Sequence, residues 1–341
     1  MDETAILLDV GVKKLLPAPV PPPIQSAIYR TFEIRPSEGK NGLGMFAAQN
    51  LPAGGLIAVE RPTIVAPYVI ALQTSSESDL FAALLRRLTP DTVARVEALA
   101  NCKPASECDA LEGIIRTNAI AITLEVPDVP HPELSTHRAI FLNTSRCNHS
   151  CSPNAVWHWD APSFSLSLQA VRPTQAGQEI TVSYIAPTYS RAKRRAHLQT
   201  MYNFSCVCMV CARAPQEIPH SDAARAELHS FWASVPAFEV WCLDGEMGDH
   251  ALIDAHKRAV TLIEEEGLQV LDDYWKHLDA VAMGYGALCD AKQFREWALR
   301  ARDARLMGRK DAAMVLQKWI DEPEGFPVWG WRKSLKRRRQ N

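Results

Sequence analysis

No stretch of this 341-residue chain approaches the roughly 18 consecutive apolar residues that a membrane-spanning helix needs, so that class is not expected. A dominant charge is missing too. The 37 Lys and Arg against 39 Asp and Glu leave a formal net charge of −2, and composition gives no reason to expect sequence-specific nucleic-acid binding. The amino terminus opens Asp2-Glu3 without the basic region and longer apolar run of a secretory signal, so a reducing compartment, nucleus and/or cytoplasm, is expected. There, thiols serve metals or cores rather than disulfides. Between Met45 and Asn118 histidine is absent and only Cys102 and Cys108 occur, too few ligands for a zinc finger inside that stretch. What remains, 47% hydrophobic and 22% charged residues, is an ordinary globular balance for about two domains.

The cysteines that are present are grouped. Cys206, Cys208 and Cys211 put three thiols into six residues, and Cys151 is a candidate fourth, enough for a tetrahedral structural zinc site. Cys102, Cys108, Cys147, Cys242 and Cys289 are scattered and read as core or surface thiols. Residues 1–27, with Pro17, Pro19 and Pro21 to Pro23, read as a flexible arm. Short strands are expected at 31–34, 44–48, 56–60, 155–159, 164–171 and 179–184, punctuated by Gly and Pro turns. Helical spacing of Leu80, Leu84 and Leu88, then Val93, Val96 and Leu99, marks an insertion at about 66–117, with a further helix over 108–122. After Pro215, Leu252, Ala255, Ala259 and Leu262 line one helix face. Leu278 to Leu288 and Phe294 to Ala301 form a pair that suits either a tetratricopeptide-like hairpin or a generic bundle. Six Lys and Arg after Trp331 predict a solvated basic tail over 326–341, or a patch read by an import receptor or acidic partner.

Four motifs then fall in a definite order. They are Asn41-Gly42-Leu43-Gly44 at an early turn, Arg116-Thr117-Asn118-Ala119-Ile120 after the insertion, and Arg146-Cys147-Asn148-His149-Ser150-Cys151-Ser152-Pro153-Asn154. The last is Gly177-Gln178-Glu179-Ile180-Thr181-Val182-Ser183-Tyr184, leading to Tyr202-Asn203-Phe204 and the cysteine cluster. This order resembles the SET-domain protein lysine methyltransferases, closest to the subfamily with SET and MYND domains but lacking the MYND finger. The resemblance implies an α+β class. A β-rich SET fold over 28–212 would carry the helical insertion and a zinc-bound post-SET segment at about 200–212. An all-α, tetratricopeptide-like domain would follow over 213–325.

The resemblance also implies roles. Gly42, Leu43, Gly44, Asn118, Asn148, His149, Tyr184 and Phe204 would hold S-adenosylmethionine, although Asn118 equally suits a helix cap. Tyr184 would be the principal catalytic tyrosine, and Tyr202 would line a lysine channel. Cys151, Cys206, Cys208 and Cys211 would bind structural zinc and fold Tyr202 and Phe204 back onto Asn148 and His149. Asn41 stands where some relatives carry a basic residue. The expected function is methyl transfer to a lysine amine of a protein or peptide substrate, histone or not, by a monomer. The alternative is a catalytically silent SET-fold scaffold working through its helical domain.

Overall fold

The computed structural model describes residues 3–7, 31–40, 42–70, 76–124, 135–306 and 310–340. Most of the expected proline-rich arm, and Asn41, lie outside these. The chain divides into two compact units. One comprises residues 1–150, 155–182 and 196–205, the other 151–154, 183–195 and 206–341. No helix among the described residues is long and apolar enough to cross a membrane.

The first unit carries three small sheets. Strands β1 (Ala5–Ile6), β5 (Ile64–Pro67), β7 (Thr136–Ile140) and β6 (Ile120–Thr123) lie in the order β1-β5-β7-β6. A second sheet runs β4 (Leu56–Glu60), β10 (Ser165–Ala170), β9 (Ala155–Asp160). The third is β2 (Phe32–Pro36), β3 (Leu43–Ala47), β11 (Glu179–Val182), β8 (Asn148–His149). The insertion forms α1 (Glu77–Leu85), α2 (Pro90–Glu97) and α3 (Ala110–Asn118). Each has its own start signal: a Ser76–Asp79 capping box, Thr89 before Pro90, and Asp109 accepting from the Glu112 N–H. Phe81, Leu84, Val96, Leu99 and Ile115 bury against Ile64 and Ile140, so the leucine periodicity of the insertion serves a core.

Three expectations are corrected. The first residues of the supposed arm are placed: Ala5 and Ile6 pair parallel with Ile64 and Val65, and Glu3 accepts hydrogen bonds from Thr89. A two-residue strand is too short to show an alternating pattern. The helix expected over 108–122 stops at Asn118. Ala119 turns extended, and Ile120 to Thr123 alternate buried and exposed as an edge strand on β7. The basic tail is not all solvated, as the second unit shows.

That unit continues with α4 (Arg191–Tyr202), whose last residues belong to the first unit, then α5 (Ile218–Ser234), α6 (Phe238–Leu243) and α7 (Ala251–Glu266). It ends with α8 (Tyr274–Ala287), α9 (Ala291–Arg305), α10 (Lys310–Asp321) and α11 (Trp331–Gln340). Helices α7 to α10 pack in sequence order. Gly284 on α8 allows the α7 crossing, since a Cβ there would meet the Ile253 side chain at 2.5 Å. Arg332, at the head of α11, is 1% exposed. Its guanidinium donates to Asp249 Oδ1 at 2.8 Å, to the Asp244 carbonyl at 3.1 Å and to the carbonyls of Trp241 and Met247. A charge-run reading misses this because it ignores the unsatisfied carbonyls at the end of α6.

Candidate functional site

In the first unit, β11 sets the register of the central cluster. It pairs antiparallel with β3, Glu179 opposite Phe46, and parallel with β8, Thr181 opposite Asn148 and Val182 opposite His149. The β2–β3 turn closes with the Ser37 N–H on the Gly42 carbonyl at 3.1 Å, and Gly42 has φ +128°, open to glycine. At Gly44 a Cβ would lie 2.6 Å from Glu179 Oε1 and 3.0 Å from Asn148 Nδ2. The absent side chain is therefore what lets these two groups approach the turn.

Glu179 organises the cluster. It accepts from Asn148 Nδ2 at 2.7 Å, Ser37 Oγ at 2.8 Å and Lys40 Nζ at 2.6 Å. Burial pushes its pKa up, but the bonds from Lys40, Asn148 and Ser37 and the Lys40 charge outweigh that and hold it below the usual range. Asn148 Nδ2 also donates to the Leu43 carbonyl at 3.3 Å. Sequence reasoning quoted Glu179 within a motif without giving it a role. Its one signal was an acid at the head of an otherwise apolar strand. Lys40, one position before Asn41 and paired to Glu179, was missed as well.

Half-buried Glu60, at the end of β4, accepts the Asn143 N–H at 2.8 Å, the Thr144 N–H at 3.0 Å and Thr144 Oγ1 at 3.0 Å. It fixes the turn that leads into Asn148 and His149. Burial raises its pKa despite those bonds.

His149 is buried, with its ring centroid 6.2 Å from that of Phe204 at an interplanar angle of 54°. Helix α4 ends at Tyr202 because Asn203 takes the left-handed conformation, φ 55°, and Phe204 follows that turn. Tyr202 is half-buried. Desolvation first, then the Cys102 and Tyr68 groups, raise its pKa, so at neutral pH its hydroxyl is a proton-bearing donor. Cys102 bonds Thr117 through its N–H (3.1 Å) and sulfur (3.2 Å), and Lys103 Nζ donates to the Met201 carbonyl at 2.8 Å. The insertion thus flanks the segment before Phe204, which sequence pattern did not indicate. Asn118 ends α3, and its amide is committed to the Ala100 carbonyl (2.6 Å) and the Ile114 carbonyl (2.7 Å).

In the second unit, Tyr184 is half-buried in the segment after β11. The sulfurs of Cys151, Cys206, Cys208 and Cys211 all lie within 4.8 Å of one another, with Cys151 3.9 Å from Cys206 and 3.5 Å from Cys211. A tetrahedral tetrathiolate zinc with 2.3 Å bonds has edges of about 3.8 Å, so the donor set fits that ion. Cys151 and Cys211 are buried, as is the intervening Val210, while Val207 and Met209 are exposed at 67% and 74%, the alternation of a knuckle turning its sulfurs inward. Hydrogen bonds from Cys151 and then Cys206 lower the Cys208 thiol steeply and bring Cys211 to about 7. Bonds to Cys206, Cys208 and Cys211 raise Cys151.

Comparisons with known proteins agree with the motif order. A family profile described as "SET domain" matches residues 42–185. The chain is 30% identical over 207 residues to "Histone-lysine N-methyltransferase set5" of Schizosaccharomyces pombe, covering 60% of this chain and 57% of that protein. It is 38% identical over 80 residues to "N-lysine methyltransferase SMYD2-B" of Danio rerio, 24% of this chain and 18% of the relative. It is 36% identical over 72 residues to "Histone-lysine N-methyltransferase SMYD3" of Mus musculus, 21% and 16% respectively.

Proposed function

We propose that this chain, a member through residues 42–185 of the SET-domain family of lysine methyltransferases, moves a methyl group from S-adenosylmethionine to the side-chain amine of a lysine in a protein substrate. The observation that carries this reading is the convergence of Gly44, Asn148 and Glu179 beside the His149–Phe204 ring pair. In that reading, Gly42, Leu43 and Gly44 present bare backbone to the cofactor. Asn148, oriented by Glu179, and His149 offer polar groups, and Phe204 covers a flat aromatic base. Asn118 would hold its own loop through its NH2, which donates to two carbonyls, and would meet the cofactor through its Oδ1 as acceptor.

The bound cofactor would supply a methyl on a sulfonium, open to in-line attack by a neutral amine. The protein's part is alignment, dehydration and acceptance of an amine that has lost its proton. A half-buried aromatic wall lowers the pKa of an incoming lysine by disfavouring its charged form. Tyr202, with a raised pKa, keeps its hydroxyl proton and so orients rather than deprotonates. Tyr184 is proposed as the principal catalytic tyrosine. Cys151, Cys206, Cys208 and Cys211 would hold a structural zinc, which takes no part in the transfer.

Calorimetric titration is expected to show S-adenosylmethionine binding, and no heat at ~1 mM cofactor overturns the reading. Transfer of labelled methyl into fractionated lysate is expected to mark protein lysines. Tyr184→Phe should lower that transfer about 100-fold while leaving cofactor affinity within a few-fold, as loss of alignment predicts.

A further inference from the structure

Helix α4 opens Arg191-Ala192-Lys193-Arg194-Arg195, a basic run that sequence alone would assign to solvent. The structure buries one member of it. Arg194 is 0% exposed, whereas Lys193 is exposed and Arg191 and Arg195 are partly so. Burying a guanidinium demands compensation, yet little is visible around this one. Its Nη1 donates to the Tyr189 carbonyl, and the nearest carboxylate, Asp222 Oδ1, is 3.9 Å away and already accepts the Arg191 N–H at 2.7 Å. Its Nε and Nη2, both buried, have no full hydrogen bond among the described residues.

The other cations of this region are accounted for. Arg225, also 0% exposed, meets Glu266 at 2.9 Å, and Arg213 pairs with the same carboxylate. Arg191 Nε donates to the Cys211 carbonyl at 2.9 Å. Arg191, on the same turn, thus sets this end of the helix against Cys211, and the side chains that bear on the Arg194 guanidinium by charge and hydrogen bonding are Cys151 and Cys211. Burial lowers the Arg194 pKa, but the sulfurs of Cys151 and then Cys211 more than reverse that.

We infer that Arg194 is the charge-compensating partner of the metal-loaded Cys151–Cys206–Cys208–Cys211 site, its Nε–H and Nη2–H donating to the thiolates. The inference rests on the zinc reading above. Four thiolates on a divalent ion carry a net charge of −2, which a buried site must offset. Neutral thiols accept hydrogen bonds weakly and thiolates strongly, so the two N–H groups that lack a full hydrogen bond gain one when the sulfurs carry the charge of a metal-bound site. The cation and the anionic site each remove the other's burial cost. Arg194 is thus a positioning residue of the metal site, acting through the ligands and not on the ion.

The test uses the full chain. Zinc content is measured in the wild type, Arg194→Gln and Arg194→Lys, affinity by competition with a chromogenic chelator, and ligand character by the thiolate-to-cobalt charge-transfer band after Co²⁺ replacement. The wild type should hold one zinc. Arg194→Gln should bind about 10–100-fold more weakly, with the cobalt band shifted to lower energy because the thiolates lose their hydrogen bonds. Arg194→Lys keeps the charge without the planar fork, so it should shift the band too and lose less affinity.

A metal-free wild type overturns the zinc reading and this inference with it. One zinc in the wild type with unchanged affinity and band position in the variants overturns the inference alone. If Arg194→Gln does not fold, Arg194→Lys decides by the same two readouts. A merely structural arginine would lower urea resistance equally with and without metal and leave the cobalt band in place.

Discussion

Gly44 and Glu179 show how much of the candidate site rests on single atoms. A methyl group at position 44 would collide with Glu179 Oε1 and crowd Asn148 Nδ2, both ends of side chains that can swing away. Gly44→Ala is expected to cost about 1–3 kcal/mol of folding stability in urea denaturation, the loss of a part-buried hydrogen bond to a carboxylate. It should break the Glu179–Asn148 bond and weaken S-adenosylmethionine binding at least about tenfold in calorimetry. A variant that binds the cofactor normally would separate this cluster from the cofactor. The glycines and Asn148 were legible as a motif. Glu179, Glu60 and Lys40 were not, because a carboxylate's partners across 31, 83 or 139 positions leave no local pattern.

Among the elements, α7 and α8 carry the clearest pH signal. His256 and His277, 3% and 2% exposed, share a hydrogen bond between their Nδ1 atoms at 3.0 Å, one ring donating and the other accepting. Phe231 and Trp232 pack on both rings. Burial, and for His256 the neighbouring His277, pushes them down to about 3 and about 4. For His277, Asp273 pulls up against burial and Lys276 adds to the lowering. A depressed histidine binds protons less readily folded than unfolded. The stability from this pair is present above about pH 6.5 and drains away as pH falls toward 4. Asp279, raised to about 6 by burial, acts in the opposite sense between its unfolded value and 6, one group against two. The thermal midpoint of the helical unit should fall between pH 6.5 and 4.5. A midpoint that stays flat there would remove the pair as its acid sensor. At the same crossing, Gly284→Ala drives a Cβ into the branched part of Ile253. It should cost about 1–3 kcal/mol by urea titration. The helix spacing of this region was plain in the sequence. The pairing of two histidines 21 residues apart was not, since which helix faces meet depends on how the helices cross.

For the molecule as a whole, a metal held by the cysteine cluster would clip residue 151 to 206–211 across a loop of about 55 residues. Chelation at neutral pH should lower the thermal midpoint by several degrees, and Cys208→Ser should leave less than one zinc per chain by metal analysis. A stable, metal-free wild type would show that the thiols are only packing. The sequence by itself determined the strand pattern around the motifs, the helical nature of the insertion and the carboxy-terminal region, the resemblance of residues 42–185 to a SET domain, and the four sulfurs. These are carried by local period, turn chemistry and residue type, which neighbouring positions alone express. Only the tertiary structure decided that Ala5 and Ile6 join a sheet, that Arg332 and Arg194 are buried in spite of their basic neighbours, and that Glu179 orders the turn beside Asn148. Each depends on desolvation and on partners far along the chain, and burial is a property of the folded chain that no window of sequence contains.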